Sequence, residues 1–179
     1  DSGVINVTIT GFNNATSLNF TFGQCKRLKS VSIDTIANIK NAASAFYNCT
    51  ALETVNFGST PELNELTDIN GMFTNCKKLN TIQLFNTKKV TNITDVFKNC
   101  SSLTEIPEFD FSSVTNASNA FESCTALTSV PNFDLQNAKY VTNMFSNCTS
   151  LKTIPELNIK ISDCRGLFYG CVNVESGAL

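Results

Sequence analysis

One short pattern recurs seven times along this chain of 179 residues: a Phe, a Cys three residues later, and an apolar residue three residues after the Cys. FTNCKKL (73–79), FKNCSSL (97–103) and FSNCTSL (145–151) are examples. Positions are numbered here from the Phe of each unit, and units 1 to 7 have their Phe at Phe22, Phe46, Phe73, Phe97, Phe121, Phe145 and Phe168. The intervals of 24, 27, 24, 24, 24 and 23 residues are typical of a solenoid, whose units bury their apolar faces against each other.

Apolar residues also occupy positions −4 and −1, so that −4, −1 and 0 have the spacing of one helix face. ASNAF (117–121) and VTNMF (141–145) show this spacing. It predicts a short helix or 3-10 turn in each unit. Asn116 and Asp68, both at position −5, are the predicted N-caps.

From position +6 onward the apolar residues alternate, as they do in a β-strand. LKSVSI (28–33), LETVNF (52–57) and LNTIQL (79–84) have apolar side chains at +9 and +11 and predict strands stacked in parallel, about 4.8 Å apart. Units 4 to 6 have their large apolar residue at +12 instead, after Pro107, Pro131 and Pro155 at +10. Because Pro has no N–H for a ladder, we expect these strands to stop near position +9.

A single repeat domain is predicted over residues 1–179. Residues 1–21 form an N-terminal cap strand (VINVTI, 4–9) and a degenerate start, residues 22–174 the repeats, and residues 175–179 an incomplete C-terminal end. Three extra residues around GSTPEL (58–63) predict a bulged surface loop in unit 2. Unit 7 has Gly177 where position +9 should be apolar, so we expect the chain to continue beyond Leu179 or another element to cover this end.

The recurring Cys could be a core residue, a disulfide partner, a metal ligand or a nucleophile. Equivalent side chains on adjacent rungs have parallel Cα–Cβ vectors, whereas a disulfide needs converging ones. A spacing of 24 residues does not gather four thiolates around a metal ion, and the chain has no C-x₂-C pair. We therefore expect buried free thiols, including Cys164, which lies in the apolar column at −4. A disulfide between Cys164 and Cys171 is the main alternative.

Composition argues against several classes of function. The net charge is −2, without a basic block, so no nucleic-acid partner is expected. No apolar run approaches the roughly 20 residues of a membrane span. The chain has no His, which removes the commonest general base and metal ligand. No spacing brings two carboxylates together as a glycosidase needs. We expect no enzyme activity, no cofactor and no metal.

The outward side of the predicted strands is the candidate partner-binding face. Its residues lie at positions +7 and +8 of successive units, are mostly small and hydroxyl-bearing, and carry mixed charge. They are Lys29, Ser30, Thr54, Asn80, Thr81, Thr104, Glu105, Thr128, Ser129, Lys152 and Thr153. Solenoids commonly bind partners on such an extended sheet face.

The unit VTNASNAFESCTALTSVPNFD (114–134) resembles the BspA-like leucine-rich repeats of bacterial surface proteins, and VTNMFSNCTSLKTIP (141–155) is close to the same frame. The resemblance extends over residues 22–174. It implies an α/β fold, a right-handed leucine-rich-repeat-like β/α superhelix of about seven units of about 24 residues. It also implies a secreted or cell-surface protein with a role in adhesion, and it brings no catalytic residues.

Two hypotheses follow. The chain is an extracellular or cell-surface adhesin-like module, a monomer that recognises a host or bacterial surface protein or a glycan on its strand face. Alternatively it is a structural spacer or stalk that presents another domain, as in a phage or prophage tail adhesin.

Overall fold

The computed structural model describes residues 5–34, 36–58, 63–160 and 163–175, which stack into a repeat solenoid. It contains five short strands: β1 (Ile5–Ile9), β2 (Leu28–Ile33), β3 (Thr54–Asn56), β4 (Phe133–Asp134) and β5 (Leu157–Asn158). The first three form one sheet in the order β1-β2-β3, and β4 pairs with β5 in a second sheet. Every pairing is parallel, as the repeat predicts.

The strand register follows the repeat period. Ser30 of β2 lies opposite Thr54 of β3, and Phe133 of β4 lies opposite Leu157 of β5, each pair 24 residues apart. β1 lies within the segment predicted as an N-terminal strand and pairs with β2, with an irregularity between Ile5 and Asn6. Isolated parallel bridges join position −5 of one unit to the next, from Ser17 through Asn41, Asp68, Asn92 and Asn116 to Tyr140.

The predicted short helices or 3-10 turns are not confirmed, because the described residues contain strands and hydrogen-bonded turns but no helix. Unit 2 shows the reason. The N–H groups of Ala45 and Tyr47 donate to the carbonyl groups three residues earlier. The alternate N–H groups of Ser44 and Phe46 donate across to unit 3. A helix would use all of these donors internally, so the apolar spacing belongs to a chain of turns shared between neighbouring rungs.

Residues with positive φ recur at positions −2 and +2 and also prevent a continuous helix. In unit 2 these are Ser44 (φ 54°) and Asn48 (φ 59°). Asn48 is the third residue of a turn closed by the Cys49 N–H and the Phe46 carbonyl at 3.1 Å, the position where a type II turn requires φ > 0. Asn tolerates this conformation better than most residues, which accounts for the Asn that precedes Cys in several units.

The residues at −5 do not cap helices. The side-chain oxygen of Asp68 accepts the N–H of Asn70 at 2.9 Å, and that of Asn116 accepts the N–H of Ser118 at 3.0 Å. This contact with the residue two positions later is an Asx-turn. The prediction of helix N-caps at Asp68 and Asn116 is therefore wrong, because each side chain accepts an N–H within a turn and no helix follows.

The predicted strand at 79–84 is wrong. Leu84, expected inside at +11, is 53 % exposed, and Phe85 at +12 is buried instead. The shift from +11 to +12 thus begins in unit 3, before any of the prolines. Phe85 contacts Phe57 edge-on at 5.6 Å and Phe109 at 5.0 Å between ring centroids, so it joins the +11 column of unit 2 to the +12 column of unit 4.

The expectation for the proline-containing units is also wrong. No strand leads up to Pro131 or Pro155; instead β4 and β5 each begin two residues after the proline. The residues at +12 in units 5 and 6, Phe133 and Leu157, begin the pairing of β4 with β5, which lasts for two residues. Of the predicted loop around 58–63, residues 59–62 lie outside the described part of the chain, as does Gly177.

The core is a continuous column of Phe rings at position 0. Neighbouring rings from Phe22 to Phe168 are stacked, with centroids 5.0 to 5.6 Å apart and interplanar angles of 1° to 13°. The side chains at −4, −1, +3 and +6 of units 2 to 6 are buried around this column. The stack fixes the spacing of the rungs and therefore the spacing of the residues on the outer faces.

Candidate functional site

The Cys side chains at position +3 are buried in most units and make a specific contact. In units 2 to 7, the thiol donates to the main-chain carbonyl of the Phe in the preceding unit, at 3.0 to 3.2 Å. The pairs are Cys49 with Phe22, Cys76 with Phe46, Cys100 with Phe73, Cys124 with Phe97, Cys148 with Phe121, and Cys171 with Phe145. The prediction of buried free thiols is confirmed for Cys49, Cys76, Cys100, Cys124 and Cys148. Sequence reasoning missed the hydrogen bond, since it treated Cys as a small apolar residue.

Burial makes these thiols poor nucleophiles. Desolvation raises the pKa of Cys49 and of Cys148 to about 12. It raises the pKa of Cys76, Cys100 and Cys124 well above the ordinary value. Because the thiolate is the reactive form, burial suits these five thiols to packing and hydrogen bonding more than to nucleophilic chemistry.

Three cysteines depart from the prediction of buried thiols. Cys25 in unit 1 is exposed, and so is Cys164, which was expected in the core at −4. Cys171 is partly buried, and neither it nor Cys164 forms a disulfide. Unit 7 packs less completely than the central units, since Tyr169 and Val172 are 71 % and 75 % exposed. The apolar column at −4 therefore ends at Val141.

Within the described ranges, no group of three or more acidic or Cys side chains could hold a metal ion. The same residues include no helix long and apolar enough to cross a membrane. The buried Thr74 and Thr87 donate their hydroxyl groups to the carbonyl groups of Asp95 and Asp110 at 2.6 and 2.8 Å. These contacts connect neighbouring units and leave no buried polar side-chain atom of the described part unsatisfied.

The structure places the candidate face residues in two outward rows. Thr54, Asn80, Thr81, Thr104, Glu105, Thr128, Ser129, Lys152 and Thr153 are exposed, and Lys29 and Ser30 are half-buried. The Lys29 ammonium forms an ion pair with Glu53 at 3.3 Å. Ser30 donates to the Asn6 side chain at 2.7 Å. The face between units 2 and 6 is therefore polar, with few charges.

The joint between units 2 and 3 differs from the others along this face. In the other units, the backbone N–H at position +7 donates to the carbonyl at +7 of the preceding unit. The donor and acceptor pairs are Glu53 and Lys29 (2.8 Å), Thr104 and Asn80 (3.4 Å), Thr128 and Thr104 (3.5 Å), and Lys152 and Thr128 (3.0 Å). The corresponding bond from Asn80 to Glu53 is missing, and no other backbone pair joins residues 53–56 to residues 80–84.

A cleft of about 320 Å³ opens at this joint. Thr54, Val55 and Asn56 form one wall, and Thr81, Ile82 and Gln83 form the other. These six residues line the joint cleft. Unit 2 is the 27-residue unit and unit 3 carries the shift to +12, so the sequence contained a signal for irregularity here but not for a cleft.

Comparison with known proteins fits the repeat and the fold. A family described as "Mycoplasma protein of unknown function, DUF285" matches residues 40–159. The chain belongs to this family. The DUF285 match spans units 2 to 5 and most of unit 6, including every buried Cys–carbonyl contact between them. No curated protein matches the chain significantly.

Among solved structures, the leucine-rich repeat protein of T. pallidum (TpLRR) is similar to this DUF285 chain, with a TM-score of 0.71 and 22 % sequence identity. The match covers 98 % of this chain and 80 % of TpLRR. A leucine-rich repeat protein from Bacteroides ovatus has a TM-score of 0.48 and 22 % identity, covering 93 % of this chain and 35 % of its own. The first likeness establishes a leucine-rich-repeat-type fold. Together with the DUF285 match it confirms the resemblance to BspA-like repeats drawn from the sequence.

Proposed function

We propose that this chain is a non-enzymatic binding module that recognises a protein or glycan partner on its strand face. The observation that carries the proposal is the pair of exposed, hydroxyl-rich rows at +7 and +8. These rows lie on a rigid stack whose ring spacing is 5.0 to 5.6 Å. A regular array of donors and acceptors on a rigid scaffold can be matched by a partner without ordering the scaffold itself, which lowers the entropic cost of binding.

An adhesin-like role outside the cell or at its surface follows from the resemblance to BspA-like repeats and belongs to the same proposal. So does the monomeric state. The sparse charge of the face suggests a partner that is recognised by hydrogen bonds more than by electrostatic attraction, with a weak dependence of affinity on salt.

The test is binding of the purified chain to immobilised matrix proteins and to a glycan array, followed by the same assay with Glu105→Lys and with Thr81→Arg. Each substitution should weaken binding tenfold or more, about 1.4 kcal/mol, because it places a long or oppositely charged side chain in the row. Thr91→Arg is the matched control, since Thr91 is exposed at position −6, outside these rows. Undiminished binding by both face variants would move the site elsewhere on the molecule.

A spacer that presents another domain is the second candidate. The unbroken Phe stack from unit 1 to unit 7 supports it, because such a core resists bending. Replacing this chain in its full-length protein by an unrelated solenoid of equal length distinguishes the two functions. A spacer should be replaceable without loss of partner binding, whereas a binding module should not.

A further inference from the structure

The joint cleft leaves unpaired the main-chain N–H at position +7, which units 2, 4, 5 and 6 pair with the preceding unit. The backbone N–H groups of Thr81 and Ile82 donate to no described residue, and neither does that of Asn80. Thr54 and Asn56 belong to β3, which is the last strand of its sheet, so one edge of β3 faces the cleft without a strand partner. Unpaired main-chain donors and acceptors on facing walls are suited to a ligand that offers both kinds of group.

The protein closes the far side of the same joint with a side-chain amide. The Phe57 N–H donates to Gln83 Oε1 at 3.0 Å, and Gln83 Nε2 donates to the Gly58 carbonyl at 2.8 Å. One carboxamide thus supplies the acceptor and the donor that a neighbouring strand would have supplied. The contact shows which chemical group fits between these two rungs.

The surroundings favour an uncharged ligand group. None of the six cleft residues is charged. The adjacent Lys29 and Glu53 neutralise each other at 3.3 Å. A carboxylate would leave its solvation shell here without gaining a cationic partner, whereas a carboxamide can make two neutral hydrogen bonds. Leu84, 53 % exposed and next to Gln83, offers an apolar contact for the aliphatic part of a bound side chain.

We propose that the joint cleft is a subsite for the side-chain carboxamide of an Asn or Gln residue in a protein partner. The amide would lie between β3 and residues 81–82 and use the unpaired main-chain groups there. This inference rests on the proposed function and narrows it. The partner is a protein, and the joint cleft between units 2 and 3 binds an Asn or Gln side chain from an exposed segment of that partner.

Amide-resolved NMR titration tests the subsite directly. The probe is the blocked tripeptide Ser-Gln-Ser, compared with Ser-Glu-Ser and with N-acetylglucosamine. The Gln peptide should shift the backbone amide signals of Thr54, Asn56, Thr81 and Ile82 at millimolar concentration, and the Glu peptide should shift them at least tenfold less at equal concentration. Equal shifts with both peptides, or none with the Gln peptide, would overturn the proposal. Shifts with the amino sugar alone would overturn it in favour of a glycan site.

Thr54→Arg and, independently, Thr81→Arg should block the cleft and abolish the shifts caused by the Gln peptide. Thr91→Arg is the matched control, because it makes the same change at an exposed Thr outside the cleft and outside the strand face. The dispersion of the amide signals shows whether each variant is folded. Because there are two blocking variants, the test still works if one of them fails to fold. If a macromolecular partner binds with sensitivity to Glu105→Lys but not to Thr54→Arg, the strand-face function stands and the carboxamide subsite fails.

Discussion

The thiol at position +3 combines two properties that few side chains share. It is small and apolar enough to lie at 0 % exposure in units 2 to 6, and it still donates to the Phe carbonyl of the preceding rung. Alanine would fill less of the space and offer no donor. The Cys column therefore links rungs in addition to packing between them.

Cys100→Ala should lower the free energy of unfolding by about 1–2 kcal/mol, since it removes one hydrogen bond and leaves a small cavity. The loss should stay in this range because the Phe73 carbonyl keeps its bond from the Cys76 N–H at 3.0 Å. Urea denaturation measures the change. Cys164→Ala, at an exposed position, is the control and should change stability by less than about 0.5 kcal/mol. Equal effects at the two sites would contradict a role for the buried contact.

At the scale of the element, the repeated turn is set by residues with positive φ. Asn99 has a φ of 61°, and its Nδ2 donates to Asn75 Oδ1 at 2.8 Å. Asn75 donates in the same way to Asn48 at 2.8 Å, so the side chains at +2 form a ladder across units 2 to 4. The positive φ and the hydrogen-bonded ladder of side chains therefore both favour Asn at position +2.

Asn99→Ala should destabilise the fold by about 2 kcal/mol, because Ala meets the steric cost of positive φ and also loses the ladder contact. Asn99→Gly should cost less, since Gly adopts this conformation freely and loses only the side-chain bond. Urea denaturation of both variants gives the comparison. If Gly were at least as destabilising as Ala, the positive φ would not be what selects Asn.

At the scale of the whole molecule, the buried thiols make stability depend on alkaline pH. Their pKa values are raised in the folded state, to about 12 for Cys49 and Cys148. Above an ordinary thiol pKa of about 8.5, the unfolded chain loses protons that the folded chain keeps. The stabilisation is complete below that pH and falls as pH rises towards the folded-state values.

Each of the five buried thiols should remove about 1.4 kcal/mol per pH unit within this window. The urea midpoint should therefore be nearly constant up to about pH 8 and fall steeply towards pH 10. Cys100→Ala should reduce the slope by about a fifth, because one titrating group is gone. A midpoint unchanged between about pH 8 and pH 10 would show that the thiols are not buried.

The sequence by itself determined the solenoid, its period and its core. Phe, Cys and Leu recur at a fixed spacing, and no single unit can bury these side chains alone. The units must therefore stack and bury them jointly. The outward position of Thr81, Glu105 and Ser129 followed from the same alternation. Periodicity reports which side chains are buried, and that information is local to each unit.

Only the tertiary structure decided how the backbone donors are shared. The spacing at −4, −1 and 0 fits both a helix and a chain of turns, and the choice depends on whether Ser44 and Phe46 donate inside the unit or across to the next one. The same holds for the joint cleft. Its open edge results from Phe85 replacing Leu84 in the core, and a register between two rungs is a property of the pair that neither unit's sequence contains.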